Sequence, residues 1–87
     1  MGIDEIRVRI KQAIGKVSKI DPGTIDDRAA FREDLGLDSL SILETLVEVQ
    51  CRFKIPDIPD ADFAQIRTVE QAVAFVQQAL QLEMVGP

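Results

Sequence analysis

From Ile3 onward, apolar residues return at intervals of three and four. Ile6, Ile10, Ala13, Ile14 and Val17 form one series, and Arg7, Arg9, Lys11 and Lys16 fill the positions between. The spacing predicts a first amphipathic helix over residues 3–17, apolar on one side and basic on the other. It should stop near Ser18, because Asp21-Pro22-Gly23 sets a residue disfavoured from helix before a proline and follows it with a turn. Residues 19–38 lose the helical period yet keep Ile25, Ala29, Ala30, Phe31, Leu35 and Leu37. A connection this rich in apolar side chains packs down instead of trailing in water, and long ordered loops in small domains are usually functional.

Asp38 and Ser39 are both good helix caps, and beyond them Leu40, Leu43, Leu46, Val47, Val49 and Phe53 recur at helical spacing. A second helix is expected over 39–53. It must end before Ile55-Pro56-Asp57-Ile58-Pro59-Asp60, a doubled tripeptide whose prolines cannot sit inside a helix, so this hexapeptide reads as a rigid elbow. Residues 60–65 allow one or two turns of a short third helix, anchored by Phe63 and Ile66. Thr68 and Gln71 have the spacing of a capping box, and Val69, Ala72, Val73, Val76, Ala79 and Leu80 continue as a stripe, predicting a fourth helix over 69–82. With no alternating strand pattern, the fold class is all-α. The expected architecture is a small four-helix bundle, three longer helices and one short one with a long loop between helices one and two, forming a single domain over residues 1–87.

Composition narrows the function. With 87 residues the chain has room for one core and none for a deep catalytic cleft. Its formal charge of -5 opposes nucleic acid. The charge is also uneven: residues 1–25 carry five basic and three acidic groups, residues 26–62 four basic and ten acidic, so the central half is the expected docking surface. Cys51 is the only cysteine and histidine is absent, which excludes internal disulfides, Cys/His zinc sites and imidazole-based catalysis, and suggests the cytoplasm. No apolar run approaches the roughly 20 residues of a membrane span, so membrane insertion is not expected, and residues 1–10 read as an amphipathic start rather than a signal peptide.

Candidate chemistry centres on Asp34-Leu35-Gly36-Leu37-Asp38-Ser39-Leu40, where a turn glycine leads to a serine in the first turn of a helix. Unpaired backbone N–H groups and the positive end of the helix dipole favour a phosphate there by about 0.3–1 kcal/mol. On local chemistry alone, Asp38 and Ser39 are read more readily as two caps. Cys51 lacks an activating base and is not expected to be a nucleophile. Asp57, Asp60 and Asp62 lack the glycine and ligand spacing of a calcium loop, so no metal site is expected.

The stretch Phe31-Arg32-Glu33-Asp34-Leu35-Gly36-Leu37-Asp38-Ser39-Leu40 resembles the acyl carrier protein family, whose modified serine lies in Asp-Ser-Leu at the start of the second of four helices. Ile58-Pro59-Asp60 is similar to the family's approach to helix three, and Ile66-Arg67-Thr68-Val69 to its Ile-x-Thr-Val start of helix four. The matches run in order over most of residues 3–80. The resemblance implies a carrier and not an enzyme, with 4'-phosphopantetheine from coenzyme A attached to Ser39 and Gly36, Asp38 and Leu40 as supporting motif. It implies a docking face of Leu40, Glu44, Val47 and Glu48, and an acyl pocket near Phe31, Leu46, Phe63 and Ile66. The implied partners are a phosphopantetheinyl transferase and acyltransferases, ketosynthases or acyl-ligases of fatty-acid, polyketide or related biosynthesis, met by a monomer. The elbow is about one residue longer than usual, and helix two is less acidic than in typical fatty-acid carriers, with Cys51, Arg52 and Lys54 near its end. An aminoacyl or D-alanyl carrier and an unmodified helical adaptor domain are the alternatives.

Overall fold

The computed structural model describes residues 2–55 and 58–85. Four helices form in chain order: α1 (Ile3–Ser18), α2 (Ser39–Phe53), α3 (Asp60–Gln65) and α4 (Val69–Val85), with a 3-10 turn at Pro22–Thr24. The all-α expectation holds: among the described residues, extended pairing is limited to one antiparallel bridge between Ala30 and Thr68. Helix α1 packs against both α2 and α4. Its buried stripe Ile6, Ile10, Ala13 and Ile14 meets Ile42, Leu46, Val49 and Phe53 of α2 and Val69, Ala72, Val73 and Val76 of α4 in one core. Ile3, which opens the apolar series, stands exposed.

The ends of α1 and α2 have a cause that apolar periodicity does not carry. Both stop on a lysine in the left-handed region, Lys19 at φ 58 and Lys54 at φ 54, where the chain can no longer follow the helix. The Lys19 N–H closes the last turn on the Gly15 carbonyl at 2.8 Å. Pro22 begins the following 3-10 turn, capped by the Asp21 carboxylate on the Gly23 N–H at 2.9 Å. Gly15 is required by a close approach: a Cβ there would lie 2.6 Å from the Ile20 carbonyl oxygen and 2.9 Å from Pro22 Cγ. At the other end, α4 opens with the Thr68–Gln71 capping box, the Gln71 N–H on Thr68 Oγ1 at 3.1 Å and the Thr68 N–H on Gln71 Oε1 at 3.2 Å. It continues past Leu82 to Val85, since no glycine or proline interrupts it before Gly86.

The long loop packs down, burying Ile25, Ala29, Phe31 and Leu37 in the common core. It is tied to the start of α4 by the Phe31 N–H on the Arg67 carbonyl at 2.9 Å and the Val69 N–H on the Ala29 carbonyl at 3.0 Å. Ile55 is buried at one end of the elbow and Ile58 packs on the core at the other; Pro56 and Asp57 lie outside the described residues.

Candidate functional site

The approach to Ser39 is a closed loop. The N–H groups of Asp34 and Leu35 bond the Ala30 carbonyl, that of Gly36 bonds Arg32, and that of Leu37 returns to Phe31 at 2.9 Å. The Asp34 carboxylate accepts from the Ala30 N–H at 2.7 Å and clasps the base of the turn. Gly36 sits at φ 69, a conformation costly for residues with a Cβ, and it lets the chain turn back so that buried Leu37 anchors the loop immediately before the helix.

Asp38 is then the N-cap of α2, with extended backbone and its carboxylate accepting from the Ser41 N–H at 2.8 Å. That bond, reinforced by the Ser41 hydroxyl and the charge of Arg32, holds the Asp38 carboxyl below its ordinary value. Ser39 is the first residue of α2 and is exposed. The N–H groups of Ser39 and Leu40 have no intrahelical acceptor, as at any helix start. Arg32 reaches across from the loop, and its Nη2 donates to Ser39 Oγ.

Beside Ser39 lies a cavity of about 430 Å³ between the loop, α2 and the α3–α4 corner. Phe31, Ile42, Phe63 and Ile66 supply its apolar wall, and Arg32, Glu33, Ser39, Ala64 and Arg67 complete it. Of the residues expected at an acyl pocket, Phe31, Phe63 and Ile66 are thus brought together, whereas Leu46 is 1% exposed in the α1–α2 core and Ile42 stands at the cavity instead. Ile42 lies one turn closer to Ser39 on the inward face, which is why it and not Leu46 borders the space.

The outer face of α2 is apolar: Leu40 is 62%, Leu43 45% and Val47 47% exposed. Helix α2 therefore has two apolar sides, and the single series read from the sequence divides between them. Leu43 completes the outer stripe at the spacing 40, 43, 47, a signal present in the sequence. Glu44 is exposed on the same side. Glu48 is different: it is half-buried, accepts from Arg52 Nε at 2.7 Å and pairs with Lys16 Nζ at 3.3 Å. The Arg52 bond, then Lys16, holds its carboxyl below the ordinary value, so much of its charge is spent inside the protein. Sequence reasoning missed the contact of Arg32 with Ser39, seven residues apart and set by loop geometry alone. Cys51 is exposed, and among the described residues no group of three carboxylate or thiol side chains gathers around a metal position.

The residues present fit a phosphopantetheine group: an exposed hydroxyl at a helix start, a guanidinium donating to its oxygen, and an adjoining space with an apolar wall. Comparison with known proteins agrees. The phosphopantetheine attachment site family matches residues 8–76. The mitochondrial acyl carrier protein of Neurospora crassa is 40% identical over 74 residues, 84% of this chain and 54% of that protein. The meromycolate extension acyl carrier protein of Mycobacterium bovis is 37% identical over 75 residues, 86% of this chain and 64% of that protein. The acyl carrier protein of Rhodococcus erythropolis is 33% identical over 75 residues, 86% of this chain and 81% of that protein. The chain thus spans 54% and 64% of the lengths of the first two of these relatives. By this match over most of its length, the chain belongs to the acyl carrier protein family, the family of the phosphopantetheine attachment site.

Proposed function

We propose that the protein is a carrier, with Ser39 the hydroxyl that receives phosphopantetheine from coenzyme A. When bound, the group supplies a terminal thiol that holds an acyl chain as a thioester. The observation that carries the reading is the exposed Ser39 Oγ at the start of α2, presented by the Gly36 turn and the Asp38 cap inside the family motif. The chain itself contributes recognition. Leu40, Leu43, Glu44 and Val47 offer an apolar face with one unpaired carboxylate next to Ser39, suited to a phosphopantetheinyl transferase and then to acyltransferases, ketosynthases or acyl-ligases. Phe31, Ile42, Phe63 and Ile66 shelter cargo, and the phenyl ring of Phe63 takes part of the volume a long chain would use, which favours short acyl groups.

The test is intact mass after incubation with coenzyme A and a broad-specificity transferase. One phosphopantetheine is expected on Ser39 and none on Ser39→Ala. An adduct on Ser18 or Ser41, or none with several transferases, would leave the exposed α2 face as that of an unmodified adaptor domain. We read the carrier as a cytoplasmic monomer. Among the described residues no helix is long and apolar enough to cross a membrane, and the exposed Cys51 predicts dimers only when reductant is withheld. Fractionation checks the compartment, one relative being named as mitochondrial.

A further inference from the structure

We propose that Arg32 is the positioning residue for the prosthetic group, its guanidinium holding the phosphate esterified to Ser39; the inference rests on Ser39 being the attachment point. Arg32 Nη2 already donates to Ser39 Oγ, the atom that becomes the ester oxygen. In the unmodified protein this is an unbalanced contact, a full positive charge facing a neutral hydroxyl. Arg32 has no ion pair among the described residues, although Arg7, Arg9, Lys11, Lys16, Arg28 and Arg52 each have a carboxylate partner. The nearby Asp38 carboxylate is committed to the Ser41 N–H at 2.8 Å. A phosphodiester on Oγ puts anionic oxygens one bond beyond the atom Arg32 now touches, a geometry that the planar donor fork of a guanidinium matches and that a point charge matches less well.

The anchor is preorganised. Phe31, the preceding residue, is 1% exposed and bonded through its N–H to Arg67, and the Arg32 carbonyl accepts from Gly36, so the backbone that delivers the side chain is held by the fold. Arg32 also borders the cavity, whereas the docking residues Leu40, Leu43 and Val47 lie on the outer side of α2. Holding the phosphate from the Arg32 side inclines the attached group toward the cavity and away from the docking face, which would keep cargo sheltered between partners.

The experiment compares apo and loaded forms of wild type, Arg32→Gln and Arg32→Lys, after mass spectrometry has counted the groups on Ser39. Two quantities are read: the change in Tm on loading and the phosphorus NMR linewidth of the loaded protein. Arg32 is exposed, so the apo forms should melt together. At low salt, loading should raise Tm relative to apo by about 4 °C more in wild type than in Arg32→Gln, with Arg32→Lys between them. The difference should vanish at about 1 M salt, where the screening length falls to about 3 Å, and the phosphorus line should be narrower in Arg32→Gln at low salt. Equal Tm changes and equal linewidths in wild type and Arg32→Gln overturn the inference and leave the carrier reading intact. Loading of wild type but not of Arg32→Gln under excess transferase also overturns it, because Arg32 then serves the transferase. Absence of loading in wild type overturns both.

Discussion

Phe63→Ala tests whether the ring limits the cargo proposed for the cavity. The ring borders the cavity and packs on the core, but it is only partly buried. A fully enclosed Phe→Ala change costs about 3–5 kcal/mol, from lost transfer energy and the void left behind. With about two-thirds or more of the phenylalanine removed from water, the loss should be about 2–3 kcal/mol, which for a domain of this size is above about 10 °C in Tm. The void opens into the existing space of about 430 Å³, so an acyl chain tethered at Ser39 gains room and can restore apolar contact. Binding that favours the folded state raises its stability, so the chain should return part of the loss. The assay is thermal melting of the holo and palmitoyl forms of wild type and Phe63→Ala. The palmitoyl form of Phe63→Ala should melt several degrees above its holo form, while in wild type the two should differ little. If palmitoylation stabilises wild type as much as it stabilises Phe63→Ala, the ring does not limit the cavity and the size preference falls.

Three further outcomes follow from the same geometry. Gly15→Ala should cost about 2 kcal/mol in urea unfolding, because its Cβ would meet backbone at 2.6 Å; an unchanged midpoint would show that the loop yields freely. Glu44→Ala should slow transfer by partner enzymes more than Glu48→Ala, since Glu48 is already clasped by Arg52 and Lys16; equal effects, measured as kcat/KM for loading, would contradict that reading. Asp27, held low chiefly by the Lys11 hydrogen bond, joins Asp38 and Glu48 as carboxyls whose folded-state values lie below their unfolded ones. Their contribution is complete above the unfolded values near pH 4 and is lost as pH falls through the lower folded ones, so wild type should lose more stability between about pH 5 and about pH 2 than Asp27→Asn/Asp38→Asn/Glu48→Gln, and equal losses would refute it.

The four-helix pattern was legible because apolar residues recur at a 3.6-residue period along each long helix, and because prolines and a capping box punctuate the chain between α2 and α4. Besides the contact of Arg32 with Ser39, three features escaped. The two lysines that stop α1 and α2 have no propensity for the left-handed region; they occupy it because the chain must leave the bundle there, which is a tertiary demand. The split of α2 into inner and outer apolar sides was hidden because Leu40, Leu43 and Val47 look like core residues, and only the packing partners say which side is covered. Leu46 and Ile42 exchanged roles for the same reason: both face inward, but the cavity lies at the Ser39 end of the helix.

The position of Ser39 depends on contacts far from it in sequence. The bridge from Ala29 and Phe31 to Arg67 and Val69 fixes the loop against the start of α4, and the turn through Gly36 then delivers Asp38 and Ser39 to the head of α2. Arg67 lies on that bridge and on the cavity wall at once, and Phe31 joins the same bridge to both the core and the cavity. A group lodged in the cavity would therefore rest against Phe31 and Arg67, the two residues that share the 2.9 Å backbone bond holding the loop to the start of α4.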